Sequence, residues 1–357
     1  MTDINHNSGT STRFGSAGLS EITGLGSIPS VKSKKPLQEP YSSFSLDSNA
    51  KFIAASLVFL FSLIIIRYYT DGDQRVYRLV YEGLADRDLE DGFSFYSINL
   101  SSKEYIHFFL SWLASRYVDK DLFINVSNAL LAYVSMGLFQ KWRAPTVVAL
   151  VILLSNVYFL GMYFAAERLK YAFIFLVLSM LYVHKVKHML GFAALAILSH
   201  AQVLIIYAAI LLNLLVKRES NVFRTGNVLT RLCFVSISII PVLLIGEHAV
   251  AKFQTFYSER DLMALSRIGA FFLLALWYSR NRLETSLIFI PIGAAVFLVG
   301  GDRVNIFGYF VFLYYGFQYR RGWNVGVLVT TAYFFNSSLQ FLLNVINYGD
   351  GFYNEWF

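Results

Sequence analysis

The chain reads as an all-α, polytopic integral membrane protein with about eleven transmembrane helices, including a short hairpin, and a long extracytoplasmic loop that carries interfacial helices. Three observations predict this. Of 357 residues, 56% are hydrophobic and 17% aromatic, and the mean hydropathy is +0.52. The apolar residues come in long runs, not in the one-sided stripes of soluble helices. The loops between runs alternate between basic and acidic, as the two sides of a membrane require.

Residues 1–46, rich in Ser, Gly and Thr, hold no apolar segment fit for a signal peptide and are expected to be a disordered tail. Lys32, Lys34, Lys35 and Lys51 would keep it in the cytoplasm. The membrane domain is then 47–357. A crossing needs roughly 20 residues, fewer where the bilayer thins. On that measure the first span runs from about Lys51 to Tyr68, followed by Leu122 to Phe139, Pro145 to Tyr163 and Leu169 to Val183. The stretch 189–216 reads as two helices; the remaining spans are Val228 to Gly246, Leu262 to Tyr278, Thr285 to Val299, Val304 to Phe317 and Val325 to Leu343.

Between the first two spans, 69–121 is expected to be extracytoplasmic. Asp73, Tyr77 and Tyr81 recur every four residues, which puts them on one face of a helix lying on the membrane, as an interface anchor or a platform for sugar rings. Asp86 to Asp91 read as solvated charge, and a helix from Tyr105 to Val118, too short to span, would lie across the outer opening. One face of the membrane collects Lys141, Arg143, Lys185, Lys187, Lys217, Arg218, Arg224, Arg280, Arg282, Arg320 and Arg321. The other collects the acidic loop with Glu167, Glu247, Glu259, Asp261 and Asp302. The positive-inside rule makes the first face cytoplasmic and leaves the C-terminus outside.

Lys187 and Lys217 share the cytoplasmic face, so the chain between them must turn back, near His200. About 13 residues of helix climb only about 20 Å of a core about 30 Å thick, which predicts His200 at the floor of a cavity open to the outside. Arg168 and Arg303, the latter beside Asp302, take similar positions between neighbouring spans. Singly, each is matched by an arginine that snorkels to lipid phosphate, and Arg267 by one paired with Asp261 or Glu259. Together, cations at one depth predict a site for anionic oxygen.

Other chemistries are excluded. Cys233 is the only cysteine, so no disulfide framework or thiolate metal site is available. There is no H-E-x-x-H, G-x-S-x-G or P-loop pattern and no metal-ligand spacing, so no metal and no cofactor is expected. The net charge of +7 is spread over short loops and does not suggest nucleic acid.

The spacing of these residues resembles the EpsG/Wzy-like polysaccharide polymerases over about Lys51 to Leu343. After the first span that family has Asp, then Tyr four residues on, then another aromatic; here these are Asp73, Tyr77 and Tyr81. A Glu before the short helix corresponds to Glu104, without the Pro-Gly that usually follows. An Arg-Gln-x-x-Ala helix start and a Phe-His-x-Ser tip correspond to Arg168-Leu169 with Ala172, and to Leu198-Ser199-His200-Ala201-Gln202. Arg303 and Tyr309 resemble a late Arg followed by Tyr.

The resemblance implies a glycosyltransferase of the bacterial cytoplasmic membrane. It would transfer a growing glycan from undecaprenyl diphosphate to a lipid-linked repeat, alongside a flippase and a chain-length regulator. Arg168, His200 and Arg303 are then the expected catalytic residues, and Asp73, Tyr77, Glu104, Arg267 and Asp302 the expected substrate contacts. His200 would either take the acceptor proton or hydrogen-bond the diphosphate, with Asp73 or Glu104 as alternative bases. A flippase for the same lipids, or a scaffold of the assembly complex, shares the hydropathy.

Overall fold

A computed structural model describes residues 48–216, 262–299 and 301–353. The expected tail 1–46 and the span Val228 to Gly246 lie outside the described residues. Within them the chain is all-helical and has no strand. In order, α1 is Ser48–Ile65, α2 Asp73–Leu84, α3 Leu89–Leu100, α4 Tyr105–Ala114, α5 Lys120–Lys141, α6 Thr146–Ser155 and α7 Val157–Leu160. A π-helical turn, Gly161–Ala165, leads into α8 at Glu167–Leu181, then α9 at Val186–Ser199 and α10 at Leu204–Val216. After the undescribed stretch come α11 (Leu262–Tyr278), α12 (Arg282–Val299), α13 (Gly301–Gln318) and α14 (Val325–Tyr348).

Among the described residues, three helical segments, Ser48–Ile65, Lys120–Lys141 and Arg320–Tyr348, are long and apolar enough to cross a membrane. Thr146–Ser155 with Val157–Ala165 makes a fourth if that bent pair is one span. The most apolar stretch of α5 is 67% buried, against 28% for α1 and 33% for Arg320–Tyr348, which makes α5 the central helix. Ala54 and Val58 of α1, Leu131 and Met136 of α5, and Ala172 and Phe173 of α8 close the core between these helices.

The helix ends follow from their capping residues. Asp119 starts α5 by accepting from the Asp121 and Leu122 amides at 2.8 and 3.2 Å, and Asn324 does the same for α14 through Val327 at 3.0 Å. The left-handed Gly349 (φ 74°) ends α14, and its carbonyl accepts from the Thr70 and Asp71 amides at 3.1 and 2.9 Å. The start of the loop 69–121 and the end of α14 therefore share one end of the molecule. At the opposite end of α5, Lys141 Nζ donates to the last carbonyls of α8, Met180 at 2.9 Å and Leu181 at 3.1 Å.

Several expectations change. The span expected from Pro145 to Tyr163 is broken at Asn156 and bent by 56°, because the Asn156 side chain accepts from the Tyr158 amide at 2.9 Å and starts a new helix. The chain does break at His200, which is extended (φ −164°, ψ 121°) between α9 and a 3₁₀ turn, Ala201–Val203. The arms of that break are not a tight hairpin: α9 packs along α8, and α10 along α12. The loop 69–121 holds three helices. The unexpected one, α3, starts where Asp88 accepts from the Asp91 amide at 2.9 Å.

Candidate functional site

Four of the residues singled out in the sequence come together, from four separate stretches of chain. Tyr77 lies on the inward face of α2 and Glu104 is the extended residue before α4. Arg168 is on the first turn of α8, directed there by the π-helical turn that precedes it, and His200 sits at the break after α9. The Glu104 carboxylate lies between the Arg168 guanidinium and the His200 imidazole. Its Oε1 meets His200 Nδ1 in a short hydrogen bond, and its Oε2 lies 3.1 Å from Arg168 Nη1. Arg168 Nε donates to the Tyr77 hydroxyl at 3.2 Å, and His200 Nε2 lies 3.1 Å from Gln202 Oε1.

Burial by itself would raise the Glu104 carboxyl, but the His200 hydrogen bond and the charges of His200 and Arg168 outweigh it and pull the pKa down to about 2. Glu104 is therefore ionised at neutral pH and a poor proton acceptor. Burial pushes the Tyr77 phenol up to about 12 in spite of Arg168, so Tyr77 stays protonated and serves as an acceptor for the guanidinium.

Beside this group is a second one built around Glu167, which the sequence places in a short, acidic outer loop. In the structure it is fully buried. Lys120 Nζ donates to its Oε2 at 2.7 Å, Gln74 Nε2 to its Oε1 at 2.9 Å, and His107 Nε2 approaches at 3.7 Å. The His107 Nδ1 is 2.9 Å from the Tyr96 hydroxyl. Burial holds the His107 imidazole below its ordinary pKa despite Glu167, so it is neutral at pH 7. One turn further along α8, Lys170 donates to Asn128 Oδ1 at 2.8 Å, and Asn128 Nδ2 donates to Ser62 Oγ at 2.8 Å.

Exposure separates the two groups. The side chains of Glu104, Arg168 and His200 keep 12, 18 and 11% of their surface, whereas Glu167, Lys120 and His107 keep 1, 5 and 2%. The first group keeps part of its surface accessible. The second ties the start of α8, and with it Arg168, to α2, α4 and α5.

The other expected residues fall elsewhere. Asp73 is exposed on the first turn of α2, one turn before Tyr77. Tyr81 is neither a lipid anchor nor a sugar platform: it is buried, its ring lies 5.5 Å from Phe123, and its hydroxyl donates to the Val118 carbonyl at 2.9 Å. Arg267 is half-buried on α11. Asp302 and Arg303 belong to the first turn of α13, with side chains outside the described part. Among the described residues, no three His, Cys, Asp or Glu side chains gather as a metal site.

Sequence reasoning missed Gln74, His107, Lys120 and Lys170. Lys170 had a signal, since an ionisable residue inside an apolar run is costly unless partnered. Lys120 had none, because its partner Glu167 is 47 residues away. No family model, curated protein or solved structure matches this chain.

Proposed function

We propose that this chain is a membrane glycosyltransferase of the polysaccharide-polymerase type. It would cross the bacterial cytoplasmic membrane about eleven times with its N-terminus inside and C-terminus outside. The observation that carries the reading is the meeting of Tyr77, Glu104, Arg168 and His200, four of the residues on which the family resemblance rests, in one partly exposed group.

The chemistry follows from the side chains. The bond from the sugar C1 to the diphosphate oxygen breaks, and its electron pair leaves with the undecaprenyl diphosphate. A hydroxyl of the acceptor repeat bonds to C1, through a state with oxocarbenium character. Arg168 offers a planar fork to the leaving phosphate oxygens. His200 takes the hydroxyl proton at Nε2 once the Gln202 amide turns away, while Glu104 at Nδ1 stabilises the imidazolium. Glu104 and Asp73 are not the base in this scheme. Arg303 belongs to it as a second phosphate contact, and Asp302 and Arg267 as substrate contacts, on sequence grounds alone.

The test is a gel of surface polysaccharide from a strain lacking the gene, complemented with wild type, Arg168→Ala or His200→Ala. A ladder that collapses to single repeats and is restored by wild type only agrees with a polymerase. Loss of the single repeat as well indicates a flippase, and an unchanged ladder removes the reading.

A further inference from the structure

Glu104 holds a position unusual for an acidic residue at a helix start. It precedes α4, where a side-chain oxygen would normally accept from the first free amides of the helix, yet its side chain makes no such bond. Both carboxylate oxygens are instead turned to Arg168 and His200. The carboxylate therefore occupies the place that an anionic ligand of Arg168 would need. Its hold on Arg168 is also the weaker of the two: Oε2 lies 3.1 Å from Nη1 but is not aligned as a hydrogen bond.

The backbone around Glu104 is suited to movement. Residues 102–104 belong to no helix, and Ser101 before them is left-handed, with φ 48°. The core of α4 is shared with its own neighbours. Phe108 packs with Tyr96, Val80 and Leu84 in a small cluster separate from the main core. Leu110 does reach the main core, but the contacts of α4 at the site are polar or ring-edge: Glu104, and His107 beside Glu167 and Tyr171. The Glu104 side chain makes no cap bond, so turning the carboxylate away leaves the bond from the Phe108 amide to the Glu104 carbonyl in place.

We propose that Glu104 is a built-in counter-anion: it neutralises Arg168 until a phosphate-bearing ligand takes its place there, so that ligand binding and the Glu104–Arg168 contact exclude each other. A ligand shifts such an equilibrium only by its differential affinity for the two states, and a diphosphate supplies that difference because it can grip the guanidinium fork at two oxygens. This inference rests on the reading of Arg168 and His200 as a phosphate site.

The experiment is calorimetric titration of the purified full-length protein in detergent with inorganic pyrophosphate. Wild type, Glu104→Gln and the double variant Glu104→Gln/Arg168→Ala are compared. Removing the competing charge should tighten binding on the order of tenfold or more, and adding Arg168→Ala should abolish the gain. Equal or weaker binding by Glu104→Gln, with binding still lost on Arg168→Ala, overturns the counter-anion role and leaves the phosphate site standing. Absence of binding in every protein overturns both. Should Glu104→Gln fail to fold, amide exchange in the wild type decides: protection over residues 101–108 should fall as pyrophosphate saturates, and unchanged protection overturns the proposal.

Discussion

At the scale of single residues, the site divides by what each side chain can lose. Arg168→Lys keeps the charge but not the fork, so its activity should fall on the order of 10²-fold, close to that of Arg168→Ala; turnover of a lipid-linked repeat measures it. Glu104 gives a pH prediction. Its folded pKa of about 2 lies below the roughly 4.3 of an unfolded Glu, so the unfolded state binds more protons as pH falls. Its contribution to stability is therefore complete above about pH 5 and is lost on acidification towards pH 2. The melting temperatures of wild type and Glu104→Gln should differ at pH 6 and converge on acidification, and a gap that stays constant would count against the pairing. Glu167→Gln leaves Lys120 buried without its counter-charge and should cost about 3–5 kcal/mol in denaturant unfolding. At this scale the sequence was informative where a polar group interrupts an apolar run, as at His200 and Arg168. It was silent where one buried ion selects another across distant helices, as Lys120 does Glu167.

At the scale of elements, apolar runs predicted the existence and approximate limits of α1, α5, α8 and α14, because hydropathy alone sets those. The break at Asn156 was not visible in that measure, since the residues on both sides are equally apolar and one side-chain hydrogen bond decides the direction of the chain. Asn156→Ala should remove that cap and destabilise by about 1 kcal/mol, read from thermal unfolding in detergent. The same reasoning explains Tyr81. Its spacing with Asp73 and Tyr77 identified a face of α2, but spacing does not say which way a face points. The ring of Phe123 turned it inward.

At the scale of the whole molecule, the start of the loop 69–121 and the end of α14 share one end, and Lys141 marks the opposite end of α5. With Cys233→Ser as background, Glu90→Cys should react with an impermeant maleimide applied to intact cells, and Arg321→Cys only after permeabilisation; the reverse pattern would invert the topology. Loop charge put the start of the loop 69–121 and the end of α14 on one side, whereas the packing of α9 and α10 on different neighbours depends on contacts that loop charge does not report. The central claim is that glycosyl transfer occurs at the group formed by Arg168, Glu104 and His200. Its most direct measurement is polymerisation of a lipid-linked repeat by the purified protein, with release of undecaprenyl diphosphate followed for wild type, Arg168→Ala and His200→Ala. The account predicts polymer and released diphosphate from wild type and neither from the two variants; undiminished turnover by either variant would contradict it.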